Sequence, residues 1–383
     1  ARGRRIPFLY AVAPLTVVAL LGVGFAPEIA ARLHPWLQAR LPGHPVAAGT
    51  LLLGLLCAFV VFYHFFNMVL VNAYNWLLRD VVPEELMARF LSIYRIVGTA
   101  GSFAFLWWVF PLMKEHRREV FVGVGIFYLA SFLLMCRNVG EGDYPPPPPA
   151  GEKRGAFGFL REFLVYFRDC LRLPVYRYFF VASTLVMVGT TCSGPFSMLF
   201  MRESLGLGMD DIGKIYAWGS LVSALAFFPM GWLCDRFSPL RVLLATFVTF
   251  VVALLAAFFL VDGRKSLLLY ILLTSIPSVG WSLGVNAGMM RLFPAVRFGQ
   301  FYSAYNVFGC GALIVGNYLI GQFMDLAHSN YRMTFLWSAT LIALAVFPMM
   351  IVHREWKRHG GPDRYVPPLP GEEAGPGGQA PAS

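Results

Sequence analysis

Ten long apolar runs follow one another along the 383-residue chain, and nothing else in the sequence constrains its fold as strongly. A helix crosses a bilayer with about 20 mostly apolar residues. Inside lipid each backbone N–H and C=O must be satisfied by protein, which leaves helices or closed barrels as the spanning structures. The runs are long and continuous and do not alternate with period two, so they read as helices and not as barrel strands. Spans are expected at approximately 7–25, 48–78, 90–113, 120–138, 177–201, 212–233, 240–261, 266–290, 298–324 and 332–352. Composition agrees. The chain is 57% apolar and only 14% charged, against about 45–50% and about 25% for a soluble domain. The expected class is an all-α polytopic membrane protein.

Charge then orients the spans. The formal net charge is +10, but the basic residues lie between the apolar runs, where they set topology; nucleic acid is not an expected partner. A stiff polyproline stretch, Pro145 to Pro149, separates four spans from six. With strict alternation and this linker in the cytoplasm, 21 of the 31 Lys and Arg fall on the cytoplasmic side. Both termini are therefore expected in the cytoplasm, and the loop 114–119 outside. The resulting organisation is a four-span N-terminal half (1–139), a linker (140–176), a six-span C-terminal half (177–353) and a tail rich in Gly and Pro (354–383) expected to be disordered. Within the linker, residues 156–172 place Phe159, Leu160, Phe163, Leu164, Phe167 and Leu171 at helical spacing. They read as an amphipathic helix on the membrane surface or against the bundle. Ala1–Arg5 leads directly into a full-length span, so no cleaved leader is expected. The six Cys are scattered without ligand spacing, and neither a metal nor another cofactor is expected.

An internal repeat links the halves. Adding 211 carries Pro83, Phe90, Ser92, Tyr94 and Gly98 onto Pro294, Phe301, Ser303, Tyr305 and Gly309, five identities in an ungapped stretch of sixteen. The same offset carries His64, Asn67, Val71 and Asn75 onto Ser275, Ser278, Ser282 and Asn286. Spacings of 3, 7 and 11 residues put each set on one helix face. Two readings of these polar stripes stand. They hydrogen-bond neighbouring helices, or they line a central solute site between two repeated halves, as in many transporters. His64 divides in the same way, between a bond to a neighbouring carbonyl and a place in a cavity.

The loop between the sixth and seventh spans brings in a family. Gly231, Asp235, Arg236 and Arg241 match the G-x-x-x-D-R-x-G-x-R/K-R/K pattern of the major facilitator superfamily, with Ser238 in place of the usual Gly and Leu240 in place of a basic residue. Together with the repeat, the resemblance covers nearly the whole chain. It implies a two-half helical bundle of twelve helices, of which about ten (4 + 6) are present. Gly3-Arg4-Arg5-Ile6-Pro7-Phe8 resembles the end of the first copy of that loop in sucrose-transporter-like and glycoside–pentoside–hexuronide symporter-like members. The first span would then be the third family helix, with the first two absent; the alternative is a true ten-helix protein. The resemblance further implies that Asp235, Arg236 and Arg241 pair with each other and with helix termini, holding the cytoplasmic side closed. Arg95 and its repeat mate Asn306 lie near the same mouth.

The function so implied is secondary transport of a small polar solute by alternating access, with a sugar favoured, in a monomer of the inner (plasma) membrane. A sugar needs neutral hydrogen-bond partners and an aromatic face. Candidates are His64, Asn67, Asn75, Ser275, Ser278, Ser282 and Asn286, with Thr190, Thr191 and Ser193 beside a bend at Gly194-Pro195. Trp281, Tyr74 and Tyr305 could supply the face. No acidic residue lies at the centre of a span. A co-transported proton or sodium ion therefore depends on absent helices or on His64, or the protein is a uniporter. No catalytic acid–base pair, nucleophile motif or metal motif supports a membrane-embedded transferase. A non-transporting membrane subunit or inactive fragment is the other alternative.

Overall fold

The computed structural model describes residues 6–40, 47–81, 84–140, 167–168, 170–294, 297–361 and 365–368. The polyproline stretch and residues 156–166 of the expected amphipathic helix lie outside them, as does the tail beyond Pro368. Among the described residues, ten helices are long and apolar enough to cross a membrane. The chain divides into two compact units, Ala1–Ala150 and Gly151–Ser383.

The first unit is built around α1 (Ile6–Arg40), which packs along both α2 (Ala48–Val81) and α4 (Arg117–Asn138). Its core joins Leu9 and Ala13 of α1 to Leu70, Ala73 and Leu77 of α2 and Cys136 of α4. Helices in lipid gain little from burying apolar area, so close backbone approach over small residues carries their association. Gly22 shows this: a Cβ there would stand 2.3 Å from the Phe59 ring of α2. The sequence places the end of the first span near residue 25. The helix instead continues through Pro27 and Pro35 to Arg40. Beyond the apolar run it is held by Glu28, whose Oε1 accepts bonds from Arg117 (2.9 Å) and Arg118 (2.6 Å) at the start of α4. Between α2 and α4, α3 (Glu84–Ala104) loosens into a π turn, Phe105–Val109, and then a 3-10 turn, Phe110–Lys114. Pro111, which has no N–H to continue the ladder, sits at this change of pitch.

The second unit has α5 (Pro174–Thr191), α6 (Gly194–Leu199), α7 (Met209–Phe237), α8 (Pro239–Leu260), α9 (Arg264–Leu292), α10 (Phe298–Leu326) and α11 (Met333–Arg358). Here α8 packs on both α9 and α11, α9 also packs on α7, and α5 packs on α10 and α11. Small residues again set the contacts: a Cβ on Gly280 would meet Thr246 at 2.6 Å, and one on Gly316 would meet Val188 at 2.5 Å. Buried Ser338 of α11 donates to the carbonyl of Gly189 on α5 at 2.6 Å. At one end, an aromatic cluster of Tyr176, Phe179, Phe180, Phe293 and Phe301 fills the space between α5 and the α9–α10 turn. The segment 365–368 folds onto this end. Tyr365 donates to the Leu292 carbonyl at 3.2 Å, and Tyr176 donates to that of Pro368 at 2.9 Å.

The repeat survives in the architecture. Shifted by 211, Val81 at the end of α2 falls on Leu292 at the end of α9, and α3 falls on α10. The pairs α1–α2 and α1–α4 of the first unit correspond to α8–α9 and α8–α11 of the second.

Candidate functional site

The α9 stripe is exposed over most of its length. Ser275 is the exception. It is buried, its hydroxyl donates to the Ile271 carbonyl at 2.7 Å, and its Oγ would stand 3.2 Å from a Cβ on Gly219 of α7. Ser278, Ser282 and Asn286 follow at intervals of four residues and are all exposed. Four residues turn a helix by about 400°, so the three drift only slowly around one face. The Ser278 hydroxyl donates to the Ser275 carbonyl, and the Asn286 amide donates to that of Ser282, both at 2.7 Å. Their own helix thus takes up donors, and hydroxyl and amide oxygens remain to accept bonds at this face.

On α2 the equivalent positions divide. His64 and Val71 are exposed, and the His64 ring lies edge-on to Tyr63 at 5.5 Å. Asn67 is half-buried and accepts a 2.9 Å bond from the Tyr128 hydroxyl of α4. It joins two helices of its own unit. Asn75 belongs to α2, but its side chain lies outside the described residues.

The span carrying the Thr and Ser candidates is interrupted at Cys192–Ser193, immediately before Gly194-Pro195, as the missing Pro195 N–H requires. Around the break, Thr190 donates to the Val186 carbonyl at 2.8 Å and Ser193 to that of Thr190 at 3.0 Å, while Thr191 is exposed. Each of the three rings proposed as a sugar face has aromatic neighbours within its own unit. Trp281 lies against Phe247 of α8, with centroids 5.8 Å apart. Tyr74 sits between Tyr94 and Phe132, each 6.4 Å away. Tyr305 is buried against Phe180 at 5.7 Å.

The loop motif joins α7 to α8. Asp235, Arg236 and Arg241 are all exposed. The Arg236 guanidinium lies over the rings of Trp232 (5.0 Å) and Phe237 (5.7 Å). Among the described residues, Asp235 has no ion-pair partner within 4 Å. Ser238 stands where the family pattern has Gly, and its φ of 78° and ψ of 137° explain that preference, because only Gly adopts this region without strain. Its hydroxyl is buried and finds no partner among the described residues. Arg95 on α3 and Asn306 on α10 are both exposed, and the Asn306 amide donates to the Tyr302 carbonyl at 2.9 Å.

Sequence reasoning missed three side chains that position these elements. Tyr128 holds Asn67, and Glu28 ties α1 to α4. Arg332, at the start of α11, donates to the Phe258 and Val261 carbonyls at 3.0 and 2.6 Å, neutralising the C-terminal end of α8. A charge beside a span boundary was the available signal for Glu28 and Arg332, but it reads equally as a loop residue. For Tyr128 the sequence carried none.

Comparison with curated protein sequences gives no match. Solved structures share the fold. A bacterial homologue of the iron transporter ferroportin in its inward-facing state is 16% identical, with a TM-score of 0.63, covering 90% of this chain and 82% of its own. A bacterial homologue of the human lysosomal transporter Spinster, inward-facing and occupied, is 15% identical with a TM-score of 0.64, covering 96% of this chain and 85% of its own. A variant of the fucose:proton symporter of E. coli is 16% identical with a TM-score of 0.51, covering 91% of this chain and 87% of its own. The family model described as Major Facilitator Superfamily matches residues 179–370, half of the sequence. By that match and by its two-unit helical architecture, the chain belongs to the Major Facilitator Superfamily of membrane transporters.

Proposed function

We propose that this transporter moves a small polar solute, a sugar before other classes, by alternating access. The observation that carries the reading is the exposed run Ser278, Ser282 and Asn286 on an otherwise apolar span. Polar side chains in a membrane helix turn to partners or to a water-filled cavity, because hydrocarbon leaves their remaining hydrogen-bonding capacity unmet. The oxygens left open on this face suit the hydroxyl donors of a polyol. His64 and Asn67 stand at the repeat positions on α2, and Asn75 completes that register. Thr190 and Thr191 flank the break of α5. Trp281 enters this reading only through a change of rotamer or helix position. Arg95, Asn306, Asp235, Arg236 and Arg241 are assigned to gating at the cytoplasmic mouth, with both termini on that side of the inner membrane. A proton or sodium ion is the coupling partner to test.

The reading also includes two further helices beside the first unit. In the second unit α9 rests on α7, and α10 and α11 rest on α5. Among the described residues of the first unit, nothing corresponds to α5 or α7. The apolar windows of Ala48–Tyr74 and Ile93–Lys114 are 6% and 0% buried, against 33% and 22% for α9 and α10. Two helices packed there would close the solute cavity from the side.

Uptake into proteoliposomes tests the reading. A panel of radiolabelled monosaccharides, disaccharides, nucleosides and divalent metals is offered with and without proton and sodium gradients. Saturable uptake of a sugar, reduced at least tenfold by Asn286→Ala, supports it. Uptake of a nucleoside or metal, with sugars inert, would replace the solute class. Uptake indifferent to Ser278→Ala and Asn286→Ala would remove the site.

A further inference from the structure

The second unit contains a groove of about 410 Å³ between α7, α8 and α9, and of its lining residues the transport reading uses Arg241 alone, as a gating residue. Its walls are apolar: Met230 and Leu233 of α7, Ala245 of α8, and Ile276 of α9. Thr249 also lines it, but its hydroxyl is bonded to the Ala245 carbonyl at 2.9 Å, so it offers the groove no free donor. The surrounding surface is apolar too, with Val248 and Val252 exposed. One end differs. Arg241, in the first turn of α8, lines the mouth.

Charge and length together specify the occupant. From Arg241 to Thr249 the groove follows α8 for eight residues, about 12 Å at 1.5 Å per residue. One leaflet of hydrocarbon is about 15 Å deep. With Arg241 set at the level of a phospholipid's phosphate, a groove of this length would run along most of one acyl layer. Trp232 and Phe237 are exposed beside this mouth with Arg236 stacked over both, as aromatic and basic side chains gather at a membrane interface. Lys357 of α11 is exposed, and it and Arg241 are both close enough to His353 to act on it electrostatically. Among the described residues, none of Arg236, Arg241 and Lys357 is paired with a carboxylate within 4 Å. Asp235 is the one acid on this loop. Cations outnumber it at the mouth.

We propose that the groove is a binding site for an anionic phospholipid. One acyl chain lies between α7, α8 and α9, and the phosphate meets Arg241, with Arg236 and Lys357 supplying further positive field. The occupant of such a surface in a membrane is a lipid, and the uncompensated cations select the anionic class.

The test uses the purified chain in neutral detergent, with phosphatidylglycerol or phosphatidylcholine added in mixed micelles. Bound lipid is read by native mass spectrometry and by thermal shift, so the result does not depend on any transported solute. Phosphatidylglycerol is expected to bind at least tenfold more tightly than phosphatidylcholine. Arg241→Gln is expected to reduce that preference about tenfold without abolishing phosphatidylcholine binding. Ala245→Phe, which fills the groove, is expected to reduce binding of both. Lys357→Gln, a substitution at an exposed site, provides a second charge variant if Arg241→Gln does not fold, and should lower the preference by a smaller factor. Equal binding of the two lipids by the wild-type chain would overturn the proposal. So would a preference unchanged in both charge variants, or binding of both lipids undiminished in a folded Ala245→Phe protein.

Discussion

The two units use the same corner differently. Where α1 meets the start of α4, Arg117 and Arg118 converge on the Glu28 carboxylate. Where α8 meets the start of α11, the repeat-related position, Arg332 reaches two backbone carbonyls at the end of α8. Both solutions bring arginines from one helix onto its neighbour. The difference lies around them. The C-terminal corner belongs to a unit in which α9 and α11 each have a second partner, whereas α1 is the principal partner of both α2 and α4. One packing scheme, repeated, therefore depends much more on a single helix in the first unit than in the second.

The sharpest way to break this comparison is to disturb the shared helix. Gly22→Leu forces a side chain into the space of the Phe59 ring and is expected to destabilise the first unit by about 3 kcal/mol, at the upper end for overpacking. Gly284→Ala on α9, whose Cβ would stand 2.9 Å from Leu243, is expected to be milder because α9 is also held by α7. Thermal unfolding in detergent, with limited proteolysis to locate the unit that opens, measures both. If Gly284→Ala destabilises as much as Gly22→Leu, the claimed asymmetry is wrong.

The corners come next. Arg332→Ala removes two bonds from a charged donor and is expected to lower stability by about 2 kcal/mol. Arg332→Lys should recover only part, since an ammonium lacks the fork that reaches both carbonyls. Smaller effects sharpen the account of the loop and the stripe. Ser238→Gly relieves a positive φ and deletes a buried hydroxyl without a partner among the described residues, so a gain of about 1 kcal/mol is expected. An unchanged or lower melting temperature would remove the strain argument. Tyr128→Phe severs the bond to Asn67 and should destabilise by about 0.6 kcal/mol, the usual value for such bonds in membranes. It should also raise the reactivity of a cysteine placed at position 67.

Much of this was legible in the residues. The ten spans, the 211-residue repeat and the break before Gly194-Pro195 follow from runs, register and a missing N–H. These are local or strictly periodic signals. The true end of α1 was not legible, because a polar run after an apolar one reads as a loop until Arg117 and Arg118 are seen to receive Glu28. The register of the α9 stripe puts Ser275, Ser278, Ser282 and Asn286 on one helix face, but helical spacing alone could not show that Ser275 packs toward Gly219 while the other three stay exposed. Trp281 illustrates the limit. It is adjacent to Ser282 in sequence, yet a step of about 100° turns it onto α8. The Asn67–Tyr128 bond spans 61 residues, and no property of either residue names the other.

The central claim is that the exposed faces of α9 and α2 meet water and solute within the membrane. Single cysteines at Ser282 and at its repeat mate Val71, in a background with the exposed Cys57 and Cys310 replaced by Ser, test it most directly. Proteoliposomes are treated with a water-soluble maleimide, with a cysteine at Val252, on the apolar surface of α8, as the lipid-facing control. The account predicts rapid labelling at 282 and 71, none at 252, and slower labelling at 282 when the transported sugar is present. Labelling at 282 and 71 as slow as at 252, or insensitive to every solute that is transported, would contradict it.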